Sequence, residues 1–303
     1  MRVLITGGTG FIGGELVRTL AGLGHSVVVL SRMSVPPPGW KSNVQLFHWP
    51  GPPAEMPDSA FDKVDAVVNL AGESIGAGRW TNARKDRIFE SRILTTRLLV
   101  ARIAAMPTKP KLLISGSAID YYGSPGDVPL NEASPPGNSF LAVVCSHWED
   151  EAKAVIKHGV RLAILRTGLV WGPGGGVLPR LTLPFKLFVG GPLGSGNQVI
   201  SWIHRDDLIG IIRFILENDH VSGPINATAP NPVTNRELSR VLGRLLHRPS
   251  FFRTPAFVLR LALGEMSELV LKGQRVLPKR ALEYKYTFQF PELEGALHNV
   301  LKS

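Results

Sequence analysis

The chain has 303 residues, 44% of them hydrophobic, a formal net charge of +10 and a single cysteine. That length allows one large or two modest domains with a sizeable core, and the lone Cys145 excludes an intrachain disulfide and suits a reducing compartment. No apolar run is long enough to span a bilayer and no basic run is interleaved with aromatics, so the expectation is a cytoplasmic protein that binds neither membrane nor nucleic acid.

The first segment, "RVLIT", reads as a short apolar strand with no charged leader before it. "GFIGGELVRTLAGLG" has helical spacing, with Phe11, Leu16, Leu20 and Leu23 near one face and Gly24 as the stop. "HSVVVLS" is a second buried strand, and a Pro-rich loop surrounds a short third one, "VQLFHW". "VDAVVNLAG" is a fourth strand, "TNARKDRIFESRILTTRLLVARIAAM" a long amphipathic helix, and "KLLISGS" a fifth strand. "HWEDEAKAVIKHG" reads as a helix and "VRLAILRTGLVWG" as a strand. Strands and helices alternate, and the strands are continuous apolar runs, the pattern of a parallel sheet covered on both faces.

After "WGPGGG" glycine and proline become frequent. "HRDDLIGIIRFILEN" is a further helix of the first unit, with Asp206 or Asp207 near its N-cap. The first unit is expected over 1–223, and a smaller, mostly helical unit over 224–303. Within "TPAFVLRLALGEMSELVLKG", Thr254 is the expected N-cap and Pro255 the first helical residue, and the apolar stripe is expected to be core.

"TGGTGFIGG" follows the first strand and opens the first helix, with Gly7, Gly10 and Gly13 at G-x-x-G-x-x-G spacing. Glycines there allow a tight turn and let backbone N–H groups approach a pyrophosphate at the helix N-terminus, with Thr9, Phe11 and Ile12 lining the same turn. At the end of the second strand an NAD site usually carries a carboxylate for the ribose 2′-hydroxyl. This chain has Ser31 and Arg32 instead, and a guanidinium pairs with a 2′-phosphate that a carboxylate would repel. The expected cofactor is NADP(H).

The pairing of "TGGTGFIG" with "VVNLAGE" and "SGSAIDYYG" resembles the extended short-chain dehydrogenase/reductase superfamily. "RWTNARKDRIFESRILTT", "SPPGNSFLAVVCSHWE", "GGPLGSGNQVISWIHRDDL" and "LPKRALEYKYTFQFPELEGAL" are similar to its atypical branch called epimerase family protein, which ends in a domain of unknown function, here about 250–298. The resemblance covers essentially the whole chain. It implies a doubly wound Rossmann domain whose carboxyl edge is closed by the smaller unit. It also implies that Asn69, Leu70 and Ala71 line the adenosine ribose and phosphates and that Val170 packs against the nicotinamide. Counting back from Thr95–Thr96, Arg92 stands where extended members usually have an Asn, and it is expected to reach the cofactor phosphates.

In that superfamily a tyrosine exchanges the proton and a lysine four residues later tunes it. No Tyr-x-x-x-Lys occurs here. Counting back from Trp148–Glu149, the tyrosine place falls on Phe140 or Leu141 and the lysine place on Val144 or Cys145. The resemblance leaves Ser117 and Tyr122 as catalytic candidates, with Tyr121 as an insertion. Cys145 lacks a neighbouring cation and reads as a small buried hydrophobe. His147 and His204 lack metal-ligand spacing, so no metal is expected. Ile200 and Ser201 replace the Arg-Asp that nucleotide-sugar members place before the aromatic, here Trp202. The leading expectation is an NADP(H)-binding oxidoreductase-like protein acting on an unidentified small molecule. A non-catalytic NADPH-binding redox sensor and a nucleotide-sugar epimerase are the alternatives, and a homodimer stays open.

Overall fold

The structure, a computed structural model, describes residues 1–302. Ser303, the last residue of the expected second unit, lies outside the described residues. The chain begins β1 (Arg2–Thr6), α1 (Gly13–Gly22), β2 (Ser26–Ser31), β3 (Val44–His48), β4 (Ala66–Asn69), α2 (Asn82–Ala105) and β5 (Leu112–Ala118). A 3-10 turn (Ile119–Tyr122), β6 (Gly126–Leu130), α3 (Phe140–Lys153), β7 (Arg161–Thr167) and β8 (Leu169–Trp171) follow. Next come α4 (Leu178–Lys186), β9 (Val199–Ile200), β10 (Trp202–His204), α5 (Arg205–Glu217), β11 (Gly223–Ala227), β12 (Val233–Thr234) and α6 (Asn235–Leu246). The chain ends with α7 (Ala256–Leu263), α8 (Glu268–Leu271), β13 (Gln274–Val276), α9 (Lys279–Glu283) and α10 (Leu293–Lys302).

Seven strands form one sheet in the order β11-β7-β5-β4-β1-β2-β3, and every neighbouring pair is parallel. The order reverses direction between β1 and β4, which makes it doubly wound and opens a crevice at the carboxyl ends of those strands. Apolar side chains of α1 and α5, among them Leu16, Leu20, Ile212 and Ile215, cover one face. Leu99 and Ile103 of α2 and Ala152 of α3 cover the other. Because both faces are buried, the central strands read as unbroken apolar runs. Among the described residues no helix is long and apolar enough to cross a membrane.

Four expectations shift. β11 spans residue 224 and pairs with β7, so the large sheet continues through Ala227 and the boundary at 223/224 moves past it. The segment 161–171 is two strands rather than one. A side chain at Gly168 would lie 2.8 Å from the Ser201 carbonyl, and after this glycine β8 leaves the sheet to pair with β10. Helix α3 starts at Phe140 rather than near His147, because the Ser139 side chain caps it by accepting from the Ala142 N–H. The apolar stripe after Thr254 is not core: the cap is Pro255, none of α7 is buried, and Phe257 and Leu261 are 69% and 78% exposed.

The carboxyl-terminal segment returns to the large domain. The Asp207 carboxylate, in the first turn of α5, accepts from the backbone N–H groups of Gln289 at 2.7 Å and Phe290 at 2.9 Å. Tyr286 adds a hydroxyl bond to the Asp207 carbonyl at 3.0 Å. Helix α10 then packs Leu297 and Val300 into a separate cluster with Trp171, Trp202 and Leu238. Asp207→Ala leaves two backbone donors without their acceptor and is expected to cost about 1–3 kcal/mol. Chemical denaturation measures the loss, and hydrogen exchange should quicken first at Gln289 and Phe290.

Candidate functional site

The turn between β1 and α1 is built for close approach of a ligand to backbone. Gly7 has a φ of +71°, and a Cβ there would sit 2.7 Å from the Leu70 carbonyl. A side chain at Gly13 would collide with the Gly7 carbonyl. Thr9 and Gly10 are exposed, and no side chain caps the helix that starts at Gly13, so its first turn is open to an anion. Phe11 is not on the core face of α1: its ring packs over Gly172, Gly175 and Gly176 and under the Arg205 guanidinium. Ile12 is half-buried and precedes the first turn.

At the end of β2 the Ser31 hydroxyl lies 3.3 Å from that of Thr9 and accepts from the Met33 N–H at 3.1 Å. Arg32 is exposed, and its guanidinium has no hydrogen bond or ion pair among the described residues. The Asn69 side chain is tied to neighbouring elements. It accepts from the Thr6 hydroxyl at 2.6 Å and donates to Thr96 at 2.9 Å, which pins β4 between β1 and α2. The backbone of Leu70 and Ala71, against Gly7, is what remains to line the crevice. Val170 is half-buried on β8, beside the glycine loop that holds Phe11.

Arg92 is half-buried on α2. It lies against the backbone of Gly72, where a Cβ would be 3.0 Å from its Cζ, and 5.3 Å from the Trp148 ring. It donates to the Ile88 carbonyl at 3.0 Å, and burial depresses its pKa. On α3, Leu141 and Val144 are buried, and Phe140 packs edge-on against Trp80 at 5.5 Å. Burial, reinforced by the nearby charge of Asp120, pushes the Cys145 thiol up to about 12, so it is not a thiolate at neutral pH.

Ser117 and Tyr122 fall into a buried polar network that sequence reasoning passes over. Arg166 of β7 and Glu149 of α3 form a two-pronged ion pair with both bonds at 2.8 Å. Ser117 donates to Glu149 at 2.8 Å. The Tyr122 hydroxyl accepts from Arg166 at 2.9 Å and donates to Asn226 at 2.6 Å. Tyr121 lies under the same guanidinium, 3.5 Å from ring centroid to Cζ. Burial works against the Arg166 charge, but the bonds and charge of Glu149 outweigh it and hold its pKa above the ordinary value. Burial pushes Tyr122 up to about 12, despite the pull of Arg166. Tyr122 is therefore a strut closed on both sides, and the Ser117 proton is committed to Glu149. The signal was present: an arginine inside the apolar strand "LAILRTGL" demands a buried partner. Tyr122→Phe is expected to destabilise the fold by about 1–3 kcal/mol, since buried partners lose a bond. NADPH affinity should stay within about twofold, the outcome for a strut outside the cofactor cradle. Denaturation and fluorescence titration check the two outcomes.

Residues 3–227 match the model of the NAD dependent epimerase/dehydratase family, and residues 254–300 match a domain of unknown function (DUF1731). The epimerase family protein YfhF of Bacillus subtilis (strain 168) is 39% identical over 302 residues, covering 99% of this chain and 98% of the relative. The crystal structure of human epimerase family protein SDR39U1 (isoform 2) with NADPH matches with a TM-score of 0.88 at 36% identity, covering 100% of both chains. A nucleoside-diphosphate sugar epimerase from Corynebacterium glutamicum matches with a TM-score of 0.80 at 33% identity, over 99% of this chain and 58% of that one. With the glycine turn, the doubly wound sheet and these matches in agreement over its length, the chain belongs to the NAD dependent epimerase/dehydratase family.

Proposed function

We propose that this protein is an NADP(H)-binding, oxidoreductase-like member of the atypical short-chain dehydrogenase/reductase type that acts on an unidentified small molecule. The observation that carries the reading is the unpaired Arg32 guanidinium beside Ser31 at the end of β2. It stands where a carboxylate would select NAD. The uncapped first turn of α1 fits the pyrophosphate, and Gly7, Gly10 and Gly13 let it approach. Bound there, the cofactor would supply the hydride chemistry; the chain itself orients it and manages the proton. The human relative solved with NADPH supports the same choice of cofactor.

A specific observation favours a second reading, a protein that holds NADPH and reports redox state without turnover. Leu141 and Cys145 leave no acid–base pair on α3, and Tyr122 is locked in the buried network. Nothing comparable favours a nucleotide-sugar substrate. Ile200 pairs with Val233, and the Ser201 hydroxyl bonds the Gln274 carbonyl and the Val276 N–H, both at 2.8 Å, where a phosphate-binding arginine would be needed.

NADPH is expected to bind more tightly than NADH. Arg32→Ala should weaken NADPH by about 10–100-fold, as for loss of a charge-assisted pair, and leave NADH nearly unchanged. Calorimetry with both cofactors tests this, and equal affinities in the wild type would overturn the reading.

A further inference from the structure

We infer that the proton-transfer role missing from α3 has moved to Asp120, in the turn just after β5. The inference rests on the NADP(H)-dependent reading above. Three elements converge at the carboxyl end of β5. Asp120 comes from the 3-10 turn two residues past the strand, and that turn packs on α3. Arg92 comes from α2, which packs on α3 as well. Cys145, on α3, lies within electrostatic reach of both Asp120 and Arg92. Cys145 also stands at the lysine place, so the charges of Arg92 and Asp120 surround the position that the usual pair has vacated.

Both groups are under-used. Asp120 has a partial opening to solvent, although protein closely surrounds its carboxyl. Among the described residues that carboxylate accepts only from its own backbone N–H and closes no ion pair. Arg92 makes its hydrogen bonds through Nη1 alone, to Ile88 at 3.0 Å and Ser91 at 3.5 Å. The buried charges of Arg166 and Glu149, by contrast, pair with each other. A half-buried carboxyl left without a partner at the crevice where the family binds its ligands is a group held ready for one. Burial pushes it up, and the Arg92 charge pulls it partly back. The other titratable groups around it are Cys145 and Glu149 from α3 and Glu73, which faces Arg92 from the loop after β4. Glu149 is neutralised by Arg166.

Asp120 gives its proton to a substrate carbonyl oxygen as the carbonyl carbon takes a hydride from reduced nicotinamide. The C=O π bond breaks, C–H and O–H bonds form, the nicotinamide is oxidised, and water reprotonates the carboxylate. In the reverse direction Asp120 takes the proton from an alcohol.

The test uses the full chain, Asp120→Asn and Asp120→Glu. NADPH binding is measured first by fluorescence; its absence in the wild type would overturn the parent reading. Reduction of aldehydes and ketones, from 4-nitrobenzaldehyde to aliphatic ketones, is then followed at saturating NADPH from pH 5 to 9. The wild-type rate is expected to fall as pH rises through an apparent pKa above the usual carboxylate range. Asp120→Asn should lose about 10²-fold or more and that pH limb, with NADPH affinity unchanged, and Asp120→Glu should retain part of both. Wild type that binds NADPH yet reduces nothing in the panel, or an Asp120→Asn variant as active as wild type, would overturn the assignment. Thermal unfolding gives a readout without turnover. The folded pKa of Asp120 is raised, so ionisation destabilises the fold above the unfolded pKa of about 3.9. Asp120→Asn should therefore raise Tm at pH 8, with the gain shrinking as pH falls toward 4. A lower Tm at pH 8 would make Asp120 a structural carboxylate and overturn the assignment.

Discussion

The ion pair between Arg166 and Glu149 holds the site together. Both side chains are almost fully buried, 4% and 1% exposed, so neither charge can turn to water if the other is lost. Removing one partner of such a pair typically costs about 3–5 kcal/mol, because it strands the other. The pair joins β7 to α3. Through Tyr122 and Asn226 it reaches β11, and the Arg166 guanidinium also donates to the Glu132 carbonyl at 3.3 Å. The Glu132 carboxylate in turn accepts from the backbone N–H groups of Asn226 at 3.0 Å and Arg280 at 3.1 Å. Asn226 closes the circuit with a bond to the Leu277 carbonyl at 2.9 Å. A charge pair between the sheet and α3 is thus linked by hydrogen bonds to the carboxyl-terminal segment.

Ser117 and Tyr122 stand where the family pattern puts them, and both are tied into this network. A catalytic hydroxyl must exchange its proton with a substrate, whereas both hydroxyls donate to buried acceptors within the fold. Their geometry is over-determined, and the surrounding polar groups would be left unpaired if either turned toward the crevice. Asp120 and Arg92 are under the opposite condition, with hydrogen-bonding capacity unused.

The substrate side departs from the cofactor side in a related way. Ser201 ties β13 in place, and β13 pairs with β6, so backbone fills the stretch where a cation would meet a diphosphate. Arg180 and Arg79 reach the loop after β4 and its neighbours through carbonyls: Arg180 donates to Gly76 at 2.6 Å, and Arg79 donates to Ala262 at 3.1 Å. They bind the covering segments to one another.

The sequence by itself determined the parallel sheet, because strands buried on both faces must be apolar without interruption, and "RVLIT", "HSVVVLS" and "KLLISGS" show it. It determined the glycine turn as well, since the positive φ of Gly7 and the approach of Gly13 to the Gly7 carbonyl lie within one turn of chain. That β2 ends in Ser31 and Arg32 with no carboxylate is likewise written in the sequence. Tertiary structure alone decided which polar groups are in use. Asn69 and Tyr122 are claimed by partners 27 and 104 residues away, and Asp207 by N–H groups more than 80 residues on. Only the fold shows that α7, apolar at helical spacing, has no core to face. Periodicity records which residues share a face, whereas burial and hydrogen bonding depend on what the rest of the chain brings against it.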